Sequence, residues 1–223
     1  AALAVIVVLI CLAAALYIYN YESRLISRPL RLMVFLVMFL VMLFLAKLGS
    51  LYPQWVYLAT GTSITTAIVL TIVYDQRFAI NISMLYCILA CFAVSSVPTI
   101  DLFLTMMAGV ITCCFSLREI RTRMKLIEVS MYASIVVFLT AASLGIIQNM
   151  PLMKVSSNAG SAALVTIAVG VIIQGFLPMI ERVFGIATSM TLMDWSDANQ
   201  PLLKKLAMEA PGTFSHSLLI GTI

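Results

Sequence analysis

Long apolar stretches, separated by short polar segments, run from the start of the chain to about residue 184. A helix that crosses a bilayer needs about 20 predominantly apolar residues, and this pattern supplies that length repeatedly. It predicts seven spans, at 1–20, 30–48, 53–74, 78–96, 100–117, 129–149 and 159–183. The expected fold is therefore all-α, a polytopic bundle of seven transmembrane helices.

Two of these spans depend on local arguments. The fourth and fifth are separated only by SSVPTID, in which Pro98 prevents one continuous helix. The third contains TGTSITT, from Thr60 to Thr66, whose hydroxyls can bond back to carbonyls of their own helix. That stretch is either a polar pocket or a seam of close helix packing, and its small residues favour the seam.

The placement of charge predicts the orientation. If the N-terminus lies outside, all but Lys47 and Lys154 of the 13 Lys and Arg residues fall on the cytoplasmic side. The positive-inside rule expects this bias, and an odd number of spans is needed to produce it. The sequence thus predicts a multi-pass cell-membrane protein with an extracytoplasmic N-terminus and a cytoplasmic C-terminus.

Composition supports a protein whose main partner is the lipid bilayer. Hydrophobic residues make up 63% of the chain and charged residues 10%, far from the roughly one quarter charged that is typical of soluble domains. Nearly all basic residues lie in short loops, and they do not line a groove together with aromatic residues. No nucleic acid is therefore expected as a partner. The five cysteines all lie in apolar stretches, where we expect free thiols.

After Phe184 the chain acquires a soluble character. SDANQ offers caps, Pro201 suits a first helical turn, and LLKKLAMEA has the pattern of an amphipathic helix. Pro211-Gly212 is expected to end that helix, with Thr213 capping the next one and His216 in its first turn.

Three parts are predicted: a membrane domain at 1–184, a cytoplasmic linker at 185–211, and the beginning of a further domain at 212–223. The missing initial Met and the unfinished last helix suggest a segment of a longer polypeptide, with an extracytoplasmic part before Ala1.

Few polar residues inside the predicted spans are candidates for function. Asp101, at the outer end of the fifth span, is a candidate gate or ligand contact, or a solvated carboxylate at a helix start. Gln174 and Pro178 in the seventh span are candidates for a kink that couples a signal, or for ordinary helix contacts. Glu181 and Arg182 follow them and are expected to mark the cytoplasmic surface.

His216 is the single histidine of the chain. A catalytic metal site needs three or more protein ligands, so spacing alone makes His216 a surface or packing residue. The sequence also has no glycine-rich phosphate loop, no chain of intramembrane carboxylates and no pair of broken spans. These features disfavour a proton pump, a voltage sensor and a secondary transporter.

The stretch 175–221 is nevertheless distinctive. Its blocks are Leu-Pro followed by Glu-Arg-Val-Phe-Gly-Ile, then Thr-Leu-Met-Asp, Ser-Asp-x-Asn-x-Pro-Leu-Leu, and Glu-Ala-Pro-Gly-Thr-Phe-x-His-Ser. In this order they resemble the bacterial seven-transmembrane HD-domain phosphohydrolases, the PgpH-like family. YDQRFAI after the third span and the basic run after the fifth resemble the family as well. The chain departs from the family's usual residues at Trp195, Ala198, Gln200 and Phe214.

The resemblance implies an extracytoplasmic domain, seven spans and a cytoplasmic HD domain that hydrolyses cyclic di-AMP. A divalent metal pair, iron or manganese by ligand preference, would generate the attacking hydroxide. His216 corresponds to the first metal ligand, and residues 212–223 to the start of the HD domain. The His-Asp doublet would lie beyond Ile223, so residues 1–223 contain no catalytic residue and would be inactive alone.

On this reading the membrane region anchors the HD domain and couples it to an unknown extracytoplasmic ligand. A homo-oligomer is left open. The alternative is a non-enzymatic seven-helix receptor, or a channel- or transporter-like protein, whose tail docks a partner. A His-Asp doublet encoded after Ile223 would separate the two readings.

Overall fold

The computed structural model describes residues 2–21, 29–52, 55–94, 99–117, 124–186, 192, 197 and 199–221, and over these residues it is all-helical. We number the main helices α1 to α9 in chain order. They are α1 Ala2–Tyr21, α2 Pro29–Ser50, α3 Leu58–Val73, α4 Gln76–Ala93, α5 Thr99–Ser116, α6 Met124–Ile147, α7 Leu152–Phe184, α8 Pro201–Glu209 and α9 Pro211–Gly221. The all-α prediction is confirmed.

Each of the seven predicted spans corresponds to one of the helices α1 to α7. Five of them, α1, α2, α4, α6 and α7, are long and apolar enough to cross a membrane. The other two, α3 and α5, are apolar but shorter. A helix of 16 residues, the length of α3, rises about 24 Å, less than the hydrocarbon core of a bilayer. Seven crossings and their orientation therefore remain predictions.

The short helix α3 lies at the centre of the bundle, packed against α2, α4, α5 and α7. Most of its residues from Ala59 to Leu70 are buried. Its hydroxyls bond to carbonyls one turn back, as in Thr62 to Ala59 at 2.9 Å and Thr66 to Thr62 at 2.8 Å. A Cβ at Gly61 would collide with Val165 of α7. The TGTSITT stretch thus allows α3 and α7 to approach closely, as the packing-seam interpretation expects.

Two apolar cores flank α3. The first lies among α2, α3, α4 and α5 and contains Phe35, Phe78 and Tyr86. The second joins α3 to α6 and α7 through residues such as Ile64, Leu126 and Leu177. The most extensive helix pair is α6 with α7. All five cysteines are free thiols, Cys11 exposed and the other four buried, as predicted.

The helix α1 lies at the periphery, where it contacts α4. Tyr17 stacks on Phe78 with ring centroids 6.0 Å apart, and its hydroxyl accepts a hydrogen bond from Asn81 at 3.0 Å. Large apolar side chains of α1 such as Leu9 and Leu12 are exposed. This exposure suits a helix whose surroundings are acyl chains and not water.

The seventh helix begins earlier than predicted, at Leu152 and not at 159. The predicted span left out the polar residues Lys154, Ser156 and Asn158. The tight turn after α6 instead lets the helix start at once: Asn149 has φ 54° and the Met150 amide bonds to the Gly145 carbonyl at 3.1 Å. Pro151 then precedes the first helical residue.

The tail forms two short helices that contact each other, α8 and α9. Pro201 is the first residue of α8, as predicted, and Lys205 and Glu209 form an exposed ion pair at 3.8 Å. The prediction that Thr213 caps the last helix was wrong, because α9 already begins at Pro211. Only Ala210, with φ −141°, breaks the helical path, and proline is well suited to a first helical position. His216 consequently lies in the second turn of α9.

Candidate functional site

The end of α7 contains the residues proposed for signal coupling. Glu181 is buried and Arg182 is exposed. Gly185 ends the helix in the left-handed conformation, with φ 59° and ψ 45°. The Gly185 amide bonds to the Glu181 carbonyl, and the Ile186 amide bonds to the same oxygen at 3.0 Å. This is a Schellman-type termination, which gives α7 a defined end.

A second helix holds that termination in place. Arg31, near the start of α2, donates a hydrogen bond from Nη2 to the Gly185 carbonyl oxygen at 3.1 Å. Carbonyls at a helix C-terminus carry partial negative charge, so a guanidinium there is favourable. The contact links the beginning of the second helix to the end of the seventh.

Gln174 and Pro178 lie on α7 within the two turns before Glu181. Gln174 is half-buried and Pro178 is exposed, and the helix continues through both. Pro178 has no N–H, so it cannot donate the helical hydrogen bond to the Gln174 carbonyl. The stretch is thus a place where α7 lacks one internal hydrogen bond, about two turns before Gly185.

At the other end of α7, Asp101 has a partner that the sequence did not suggest. Gln148, in the turn after α6, donates a hydrogen bond from Nε2 to Asp101 Oδ2. Both residues line a small cavity of about 50 Å³, together with Tyr57 and Thr105. Asp101 is also in the first turn of α5, where a carboxylate is favoured by the helix dipole. A small pocket therefore exists at this end, with these few polar groups in a mostly apolar lining and with room for one or two waters.

The helix α7 runs from this pocket to the capped terminus. Val155 and Asn158 of α7 line the cavity, and Gly185 follows the last residue of the same helix. At 1.5 Å per residue, its 33 residues span about 50 Å, more than the hydrocarbon core of a bilayer. One continuous element thus connects the two groups of candidate residues.

His216 lies on α9 with its side chain exposed. Its neighbours Ser215 and Ser217 bond back to the Pro211 and Phe214 carbonyls at 3.0 and 2.8 Å. Among the described residues, no three His, Cys, Asp or Glu side chains are grouped so as to hold a metal ion. The described part of the chain therefore does not by itself fit a metal pair.

Sequence reasoning missed Arg31 and Gln148 as functional candidates. The Gly185 stop was visible, because glycine after the last periodic residue is a common helix end. Arg31 and Gly185 are far apart in the chain, and nothing in the sequence indicates which arginine reaches that carbonyl. Gln148 lies in a turn, and no sequence motif there indicates that its side chain contacts Asp101.

Comparison with known proteins identifies the family. The family model described as "7TM receptor with intracellular HD hydrolase" matches residues 1–188. The chain is 23% identical over 193 residues to cyclic-di-AMP phosphodiesterase PgpH of Listeria monocytogenes, covering 86% of this chain and 26% of that protein. It is 31% identical over 105 residues to PgpH of Bacillus subtilis, covering 45% of this chain and 14% of that protein.

A further relative is an uncharacterized protein of Synechocystis, 45% identical over 49 residues, which are 22% of this chain and 6% of that protein. The chain thus spans about a quarter or less of the length of these relatives. No solved structure matches it significantly. The family model covers most of the chain, and five of the described helices are long and apolar enough to cross a membrane. The chain belongs to the family of 7TM receptors with an intracellular HD hydrolase.

Proposed function

We propose that this chain is the membrane region of a metal-dependent HD phosphodiesterase that hydrolyses cyclic di-AMP. The observation that carries the proposal is the alignment with the Listeria PgpH, which extends over 86% of the chain. The order of the residues after Phe184, with the Glu-Ala-Pro-Gly-Thr-Phe-x-His-Ser block, supports it further. On this proposal, residues 1–184 anchor the enzyme, residues 185–211 link the membrane to the cytoplasm, and residues 212–223 begin the HD domain.

His216 is proposed as one ligand of the metal pair, with the other ligands, including the His-Asp doublet, outside residues 1–223. Its exposed position on α9 leaves the imidazole accessible to further ligands. Nitrogen and oxygen ligands suit iron or manganese. Residues 1–223 alone are then expected to show no hydrolysis.

The activity is tested with the full-length protein in lipid vesicles and cyclic di-AMP as substrate. We expect hydrolysis that stops on addition of a chelator and returns with manganese or iron. Vesicles without protein provide the background. A folded, metal-loaded protein that leaves cyclic di-AMP intact would refute the proposed activity.

A second part of the proposal concerns signal coupling through α7. The pocket lined by Asp101 and Gln148 is called the outer pocket. A ligand bound at its mouth would contact these two residues, and would bear on Val155 and Asn158 of α7. Because α7 packs tightly on α6 and α3, a shift at one end is transmitted along the helix to Gly185. There, Arg31, Glu181 and Arg182 determine how the linker leaves the membrane.

This coupling is tested by lengthening the linker in the full-length protein. Inserting one, two or three alanines between Gly185 and Asp194 changes the direction in which the HD domain is held. We expect the rate of cyclic di-AMP hydrolysis in vesicles to differ among these variants. The matched control replaces the same number of linker residues by alanine without changing the length of the linker. Unchanged rates in all linker variants would exclude rigid coupling while leaving the proposed activity intact.

A further inference from the structure

An open apolar groove lies between α2 and α7, with α3 as its floor. Its volume is about 530 Å³, within the roughly 300–1,000 Å³ of typical small-ligand pockets. Its walls are almost entirely apolar and include Met33, Val37 and Met42 of α2 and Ile172, Phe176 and Met179 of α7. The groove is a feature separate from the outer pocket and from His216.

The groove exists because α2 and α7 each pack on α3 but have little contact with one another. Their wall residues remain open: Val37 is 55% exposed and Phe176 is 56% exposed. Both helices are long and apolar enough to cross a membrane, so the medium outside the groove is the acyl chains of lipids. Methionine side chains adapt their shape to an irregular apolar partner.

Two arginine side chains, Arg31 and Arg182, lie at one end of the groove. Arg31 lies two residues before the wall residue Met33, and its guanidinium reaches across to the Gly185 carbonyl of α7. Arg182, in the last turn of α7, is exposed at the same end. The charge distribution predicts that this end faces the cytoplasm, where juxtamembrane basic residues attract anionic headgroups.

We propose that the groove binds one phospholipid with an anionic headgroup. Its acyl chain lies between α2 and α7 against Phe176, and its phosphate is held near Arg31. The apolar walls match the chain, and the charge at one end matches the headgroup. This binding does not depend on the activity proposed above. A second copy of the protein in the groove is the competing occupant.

The test uses tryptophan fluorescence and brominated lipids, which quench a tryptophan on contact. All native tryptophans of the full-length protein, Trp55 and Trp195 among them, are first replaced by phenylalanine. Phe176→Trp then reports from the groove. Val171→Trp is the matched control, because Val171 is on the same helix, is 53% exposed and does not line the groove. Each variant is reconstituted in phosphatidylcholine vesicles that contain brominated phosphatidylglycerol or, separately, brominated phosphatidylcholine.

We expect the Phe176→Trp reporter to favour brominated phosphatidylglycerol by about fivefold, the scale of one basic residue beside an anionic headgroup. The Val171→Trp reporter should be quenched equally by the two lipids, and comparing the two lipids at one site removes any effect of depth. Adding Arg31→Gln should abolish the preference at Phe176→Trp. Equal quenching by the two lipids at Phe176→Trp overturns the proposal. So does protection of this reporter from both lipids, which is the result for a groove filled by a second copy.

Discussion

Gly170 of α7 lies in close contact with α6. A Cβ built on Gly170 would overlap the side chain of Ser130, which is fully buried in α6. Gly175, five residues further along α7, has open space around it. Two glycines of one helix thus have opposite roles, one needed for close approach and the other facing outward.

We therefore predict that Gly170→Ala destabilises the bundle, whereas Gly175→Ala does not. Overpacking at a tight contact costs about 1–3 kcal/mol, while alanine in an open helix position gains up to about 1 kcal/mol over glycine. The free energy of unfolding of the purified protein in mixed micelles measures both. Equal stability of the two variants would show that the α6–α7 contact is looser than described.

The candidate residues themselves could be predicted only in part. Asp101 was identified because an acidic residue in an apolar segment is unusual, and it does line a pocket. Its hydrogen bond from Gln148 depends on the packing of α5 beside α6, which residue patterns do not encode. Likewise, the burial of Glu181 next to the exposed Arg182 follows from the rotation of α7 in the bundle.

The helices were more predictable than their ends. Apolar runs of about 20 residues located the helices α1 to α7, because the cost of unpaired backbone groups in lipid leaves few alternatives to a helix. Both α7 and α9 begin earlier in the structure than predicted, for different reasons. Polar residues at 154–158 concealed a helical start, and Pro211 was taken as a breaker although proline is tolerated in a first turn.

The helix α7 gains its defined end from α2. We predict that Arg31→Gln speeds hydrogen exchange at the Gly185 and Ile186 amides, up to about fivefold. A charge at a helix C-terminus contributes about 0.3–1 kcal/mol, and its removal lets the final turn open more often. Exchange followed by mass spectrometry on the peptide around Gly185 gives the measurement.

The control for that experiment is Arg182→Gln, which removes a charge from the same turn without removing the bond to the Gly185 carbonyl. Its effect on the exchange of the same amides should be smaller. If the Arg182 variant accelerates exchange as much as the Arg31 variant, the net charge and not the hydrogen bond stabilises the terminus.

For the molecule as a whole, the charge pattern predicts that Lys154 and Lys205 lie on opposite sides of the membrane. In a full-length protein whose native cysteines are all replaced by serine or alanine, Lys154→Cys should react with an impermeant maleimide on intact cells. Lys205→Cys should react only after permeabilisation. Both side chains are exposed, so burial does not limit labelling. The reverse result would invert the orientation, and labelling of both on intact cells would show that α7 does not cross.

Both ends of the molecule then have assigned roles. In the predicted orientation, the outer pocket lies on the side of the signal, and α9 with His216 lies on the cytoplasmic side. The central claim is that this membrane region belongs to a hydrolase for which His216 supplies a metal ligand. If the claim holds, a single imidazole on an otherwise simple helix is essential to an activity located almost wholly outside the described bundle.

The most direct test compares His216→Ala with Ser215→Ala in the full-length protein, in vesicles with manganese and cyclic di-AMP. Ser215 is the adjacent exposed residue of α9, and its hydroxyl bonds only to a carbonyl of its own helix in the described structure. We predict that His216→Ala reduces hydrolysis to background and lowers the bound metal, whereas Ser215→Ala retains both. Full hydrolysis by the His216→Ala protein would contradict the assignment.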